Sequence, residues 1–157
     1  MLLSHLLRSA LIKPNLEAVN RREAIGEVLD LLVQDHEVPY AQRNSVFDEI
    51  MAREHVMGSG MEAGIAIPHV STDRVDDILC ALGTAPQGIP FESLDGQPCK
   101  IVLLMLIPPY HYEERIRTLE AIAEVFEHRN VVGRIVQAGD AQTIYDIIKE
   151  VEDNPRR

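Results

Sequence analysis

The chain has 157 residues, 25 acids against 15 bases for a net charge of −10, and 46% apolar residues with only 4% aromatic ones and no Trp. A chain this acidic and this short of aromatic rings is a poor match for nucleic-acid phosphates, base-stacking platforms or anionic membranes. Its length and apolar share suit one domain over 1–157, with its core in about 16–151.

Met1 to Arg8 is apolar but short, and His5 and Arg8 break it, so it does not read as a signal peptide. No run approaches the roughly 18 apolar residues of a membrane span. No membrane insertion and a cytoplasmic location are therefore expected. Residues 2–12 suit a short helix or an edge strand, Lys13-Pro14-Asn15 breaks them, and Leu16–Val19 suits a further edge strand. Asn20 followed by Glu23 has the form of a capping box, and Ile25, Val28, Leu29 and Leu32 recur at helical spacing. Together they predict a helix over 21–34. Pro39 suits the first turn of a second helix with Val46, Phe47, Ile50 and Met51 inward, running to about Glu54. Arg53 lies at its C-terminal end, where a cation complements the helix dipole.

Next comes Gly58-Ser59-Gly60-Met61-Glu62-Ala63-Gly64, a small-residue loop whose backbone N–H groups suit an anion. Ile65-Ala66-Ile67 reads as a buried strand, Pro68 ends its hydrogen-bond ladder, and His69 sits where strand gives way to loop. By spacing alone, His69 is either an ordinary strand-end histidine or a nucleophile facing the loop.

Ser71–Asp77 is a polar surface stretch, and Ile78–Thr84 reads as a strand. Residues 85–99, rich in Pro and Gly, form an irregular connection or wide hairpin. Ile101–Ile107 is an unbroken apolar run, as in a central strand buried on both faces, and Pro108-Pro109 stops it. Ile116, Leu119, Ile122, Ala123 and Phe126 predict a helix over 112–127, opened by Tyr110 and His111. Asn130 suits the cap of a short helix ended by Gly139, and Asp140 caps a last helix with Ile144, Ile147, Ile148 and Val151 inward. The polar tail from Glu152 is expected to fray. Strands interleaved with helices make the chain α/β, a mixed sheet sandwiched by helices. Cys80 and Cys99 fall in apolar runs and read as buried thiols.

Arg53-Glu54, the Gly58-Ser59-Gly60 turn and Gly64-Ile65-Ala66-Ile67-Pro68-His69 together resemble the active-site block of phosphotransferase-system EIIA domains of the fructose/mannitol type, a group that includes the nitrogen-regulatory EIIA proteins. The resemblance runs from about Leu16 to Val151 and implies that family's five-stranded mixed sheet. It implies that His69 accepts a phosphoryl group from an HPr-like carrier and passes it to an EIIB-type acceptor. It gives Arg53 and the loop residues Gly58, Ser59, Gly60 and Gly64 the task of holding the phosphoryl oxygens, with no metal and no cofactor. The family's second histidine, near the start of the helix after Pro109, corresponds to Arg115 here, and His111 stands one turn earlier as a possible assistant. Arginine holds phosphate by charge but is no proton-shuttling base. Glu62 and Ala63 also depart from the family's usual Gly and Asn. The alternative reading is a regulatory module of nitrogen-EIIA type, whose phosphorylation state controls binding to a regulated protein. A metalloenzyme using His55, His69 and His111 has no supporting ligand spacing.

Overall fold

The computed structural model describes residues 1–56, 60, 63–93 and 95–154, with 55 and 56 as backbone. The N-terminal stretch divides into a one-turn helix α1 (Leu3–Leu6), a 3-10 turn (Ser9–Leu11) and a short strand β1 (Ile12–Lys13), so both forms expected of it occur.

Leu16–Val19 is not a strand. The Leu16 N–H reaches Thr84 O at 2.7 Å, but the N–H groups of Glu17 and Ala18 go to the Glu27 carboxylate, at 3.0 and 2.9 Å. Lys13 Nζ also reaches that carboxylate, at 2.7 Å. The segment runs beside the sheet while its donors are spent on a side chain. This competition between side-chain and backbone partners is invisible to periodicity.

Helix α2 (Arg21–Gln34) starts where expected: Asn20 Oδ1 accepts from Glu23 N at 2.8 Å, and Glu23 Oε1 accepts from Val19 N at 3.1 Å. Pro39 does not open a helix directly. It precedes a 3-10 turn (Tyr40–Gln42) that leads into α3 (Arg43–Val56). Val46, Phe47 and Ile50 of α3 are buried.

Among the described residues, five strands form one mixed sheet. They are β1, β2 (Ile65–Ala66), β3 (His69–Ser71), β4 (Leu79–Ile89) and β5 (Cys99–Ile107). β4 and β5 form an antiparallel hairpin with Leu82 opposite Leu103. β4 runs farther than its apolar core predicts, through Pro86, and the register shifts between Thr84 and Ile89. A proline has no N–H for the ladder, so a bulge is the form in which a strand carries one. β1 pairs in parallel with β4, and β2 and β3 pair in parallel with β5. Every residue of β5 except Lys100 is buried, so helices cover both faces of the sheet there.

Helix α4 (Tyr112–Phe126) has the expected span but a rotated face. Thr118, Ala121, Ile122 and Val125 are buried, whereas Ile116 is 55% exposed. Helix α5 (Val131–Gln137) is not capped by the Asn130 side chain; Asn130 instead takes a left-handed φ of 64°. Gly139 follows the helix without a positive φ. Helix α6 (Ala141–Asp153) is capped as expected, with Asp140 Oδ1 accepting from Thr143 N at 2.8 Å, and its four predicted residues are buried. Glu152 does not fray: it accepts from Leu3 N at 2.6 Å and Ser4 N at 3.2 Å and so ties α6 to α1. Cys80 and Cys99 are buried and form no disulfide with each other, and burial pushes the Cys80 thiol up to about 12. Among the described residues, no helix is long and apolar enough to cross a membrane.

Candidate active site

His69 begins a strand rather than ending one. β2 stops at Ala66, the chain breaks from strand geometry at Ile67-Pro68, and β3 resumes at His69. The register against β5 is the same on both sides of the break: Ile65 and Ala66 lie opposite Ile101 and Val102, and His69 lies opposite Met105. Pro68 still accepts from Met105 N at 2.9 Å, so the missing proline N–H interrupts only one side of the ladder. The histidine is thereby fixed on the sheet's edge line by backbone pairing to the buried strand β5.

The ring is held from within its own chain. His69 Nδ1 lies 2.7 Å from Ile67 O. A carbonyl only accepts, so this nitrogen carries the proton and donates, and Nε2 keeps its lone pair. The ring is half-buried. Burial is the largest influence on its titration and lowers its pKa from the ordinary 6.5; the Ile67 carbonyl opposes the shift, and the positive charges of Arg53 and Arg115 add to it. Burial and the two arginine charges favour a neutral imidazole, with its electron pair on Nε2.

Three elements supply this environment. β3 carries His69, the C-terminal part of α3 carries Arg53, and the first turn of α4 carries Arg115. α3 packs on β3, and Arg74, just past β3, fixes that contact by bonding Glu49 Oε1 at 2.7 Å and Gln42 Oε1 at 2.5 Å. Both arginines are half-buried. The Arg115 charge bears on His69 and lowers its pKa. His111 is the residue before α4, and its carbonyl accepts the Arg115 N–H at 3.0 Å.

Of the loop, Gly58, Ser59 and Glu62 lie outside the described residues, as does the His55 side chain. Gly60 is buried and bridges to Ala66. A Cβ there would meet Phe91 O at 2.7 Å and Ser93 Cα at 2.8 Å, so only glycine fits. Gly64 takes a φ of 79°, and its carbonyl accepts from the N–H groups of Lys100 and Ile101, at 2.7 and 3.0 Å. Ala63, where the family usually has Asn, is itself left-handed at φ 63°. Sequence reasoning missed Asp95, which accepts from Ala63 N at 3.2 Å, Gln97 N at 3.0 Å and Ser93 Oγ at 3.2 Å. The backbone N–H of Gln97, followed by those other donors, holds its carboxyl below the usual carboxylate range. Asp95-Gly96 reads as a turn in the sequence; nothing there signals that the turn clasps a loop 32 residues upstream. Among the described residues, no three His, Cys, Asp or Glu side chains converge to hold a metal ion.

An edge histidine with Nδ1 tied to a carbonyl and under the charge of two arginines has the chemistry that suits an anionic group such as phosphate. Residues 5–151 match the family model of the phosphoenolpyruvate-dependent sugar phosphotransferase system, EIIA 2, and the chain belongs to that family. It is 31% identical over 128 residues to the fructose-specific EIIA component of Haloferax volcanii, covering 82% of both chains. It is also 25% identical over 139 residues to a nitrogen regulatory protein of Pseudomonas aeruginosa, covering 88% of this chain and 89% of that one. Among solved structures, the IIA-Ntr nitrogen regulatory protein of Neisseria meningitidis superposes with a TM-score of 0.81 at 21% identity, covering 92% of this chain and 97% of that one. The mannitol IIA of Escherichia coli gives 0.77 at 18% identity, covering 90% and 98%. The five-stranded mixed sheet implied by the resemblance is thus the observed fold.

Proposed function

We propose that this chain is one EIIA domain acting as a cytoplasmic phosphoryl carrier, with Nε2 of His69 as the acceptor atom. The observation that carries this reading is the Nδ1–H bond to Ile67 O, which leaves Nε2 as the nucleophile at the sheet edge. The donor is a phosphohistidine carrier of HPr type. The Nε2 electron pair forms the new P–N bond as the donor's P–N bond breaks, and that electron pair returns to the donor nitrogen. With phosphorus in line between the two nitrogens, Arg53 and Arg115 balance the charge on its equatorial oxygens. Gly58, Ser59, Gly60 and Gly64 have the task that the resemblance gives them, holding the phosphoryl oxygens. Metal and cofactor have no task in transfer between two histidines. His111 lies one turn before Arg115 and is a candidate assistant at the rim.

Onward transfer goes to an EIIB-type acceptor. A solved complex pairs the mannitol IIA of Escherichia coli with phosphorylated IIB, and this chain shares the fold of that IIA at a TM-score of 0.76. A second reading is favoured by the nitrogen regulatory relatives: the phosphorylated and free forms bind a regulated protein differently, with little onward transfer.

Intact-protein mass spectrometry after incubation with phosphoenolpyruvate, Enzyme I and an HPr-type carrier tests the carrier role. One acid-labile phosphoryl group on the wild type and none on His69→Ala is the expected result. An unmodified wild type with several such donors would overturn the carrier role. Adding an EIIB-type protein to the phosphorylated form then separates relay from regulation: loss of the group indicates relay, and retention indicates a held signal.

A further inference from the structure

A second concentration of positive charge stands apart from the elements that frame His69. His128 and Arg129 lie in the turn between α4 and α5, Arg134 lies on α5, and Glu150, Val151 and Asn154 lie at the end of α6. Together they enclose a hollow of about 260 Å³. Its charge is unbalanced. Arg134 Nη2 pairs with Glu150 Oε2 at 2.6 Å, which uses the one carboxylate that lines the hollow among the described residues. Among the described residues, the Arg129 guanidinium and the His128 ring have no hydrogen-bond or ion-pair partner. The carboxylates beyond His128, Glu124 and Glu152, face an adjoining hollow, and Glu152 is spent on the N–H groups of Leu3 and Ser4. At the end of α6 the Glu150 and Val151 carbonyls accept from Asn154 N, at 3.1 and 3.3 Å. Buried Val151 contributes an apolar side chain to the lining.

An unpaired guanidinium, a second one held in place by a carboxylate and a free imidazole donor, around a hollow of this size, suit a small oxyanion. Guanidinium groups take phosphate or carboxylate oxygens in bidentate fashion. The net charge of −10 would otherwise repel such a ligand, so a local positive hollow is the place where the molecule admits one. We propose that this hollow binds a small anionic metabolite, a phosphate ester or a short carboxylate, with Arg129 as its principal contact, Arg134 and His128 as further donors, and Val151 against its carbon skeleton. The proposal does not depend on the role given to His69.

The test is an amide-resolved NMR titration of the full chain with inorganic phosphate and, separately, citrate, each against sodium chloride at matched ionic strength. Saturable shifts confined to residues 128–134 and 150–154 are expected with at least one of the two anions, weakened roughly tenfold in Arg129→Gln and less in Arg129→Lys. Tighter phosphate binding would assign the ligand to phosphate esters, and tighter citrate binding to carboxylates. Shifts matched by sodium chloride, shifts near His69 only, or equal affinity in Arg129→Gln would overturn the proposal. Because Arg129 is exposed, the unchanged remainder of the spectrum reports that the variant is folded.

Discussion

The titration of the His69 ring is set by its surroundings in the free chain. Its pKa lies below 6.5 because burial and the charges of Arg53 and Arg115 all disfavour a second ring proton. The imidazole therefore becomes protonated only at a lower pH than an ordinary histidine does. In an NMR pH titration, the His69 ring should show a midpoint below 6.5, and Arg53→Gln or Arg115→Gln should each move it upward. A midpoint unchanged in both variants would separate the arginines from the ring. Ala63 illustrates a different residue-scale cost. Holding a non-glycine residue at φ 63° costs about 1–2 kcal/mol, so Ala63→Gly should raise stability by a similar amount in urea denaturation. Much at this scale is legible in the sequence only through family resemblance: the spacing of Arg53, His69 and Arg115 leaves His69 as either nucleophile or ordinary strand end. The Ile67 carbonyl and the Asp95 clasp leave no trace in the sequence at all, because both depend on backbone geometry.

At the scale of elements, long periodic or unbroken apolar segments announce themselves. α2, α6 and β5 occupy the residues that their patterns predict, since each must bury a stripe or both faces. Elements whose identity rests on a distant partner do not. Leu16–Val19 looks like an edge strand, but Glu27 takes its donors. His69 looks like the end of a strand, but β5 extends the pairing past Pro68. The Glu27 contact is measurable. Its burial favours the neutral acid, but Lys13 and the N–H groups of Glu17 and Ala18 outweigh this and hold its carboxyl below the ordinary 4.5. The stabilisation is complete above that value and is lost as pH falls through the lowered one. Glu27→Gln should cost about 1–2 kcal/mol at neutral pH, with the difference from wild type shrinking in acid. An equal difference at both pH values would contradict the assignment.

Across the whole molecule, the acidic surface and the exposed apolar residues near the site point to a protein partner. Tyr112 and Ile116 on α4 are 65% and 55% exposed, one turn before and one residue after Arg115, and Tyr110 precedes the helix. Aromatic and aliphatic side chains beside a charged centre are the composition of an interface core. Ile116→Asp should leave stability within about 0.5 kcal/mol while raising the KM for the phosphorylated donor, with kcat little changed. A fall in kcat alone would place Ile116 in the chemistry rather than in docking. Such an interface escapes sequence reading for a definite reason: Ile116 fits the periodic apolar face of α4, and only the helix's rotation against the sheet shows that it faces outward.

The central claim concerns one atom, the Nε2 of His69. It is tested most directly by ¹⁵N and ³¹P NMR of the phosphorylated chain with labelled histidine, which identifies the ring nitrogen bonded to phosphorus. We expect a single phosphohistidine, at His69, with phosphorus on Nε2 and the proton on Nδ1 still directed at Ile67 O. Phosphorus on Nδ1, or on any of the other five histidines, would contradict it.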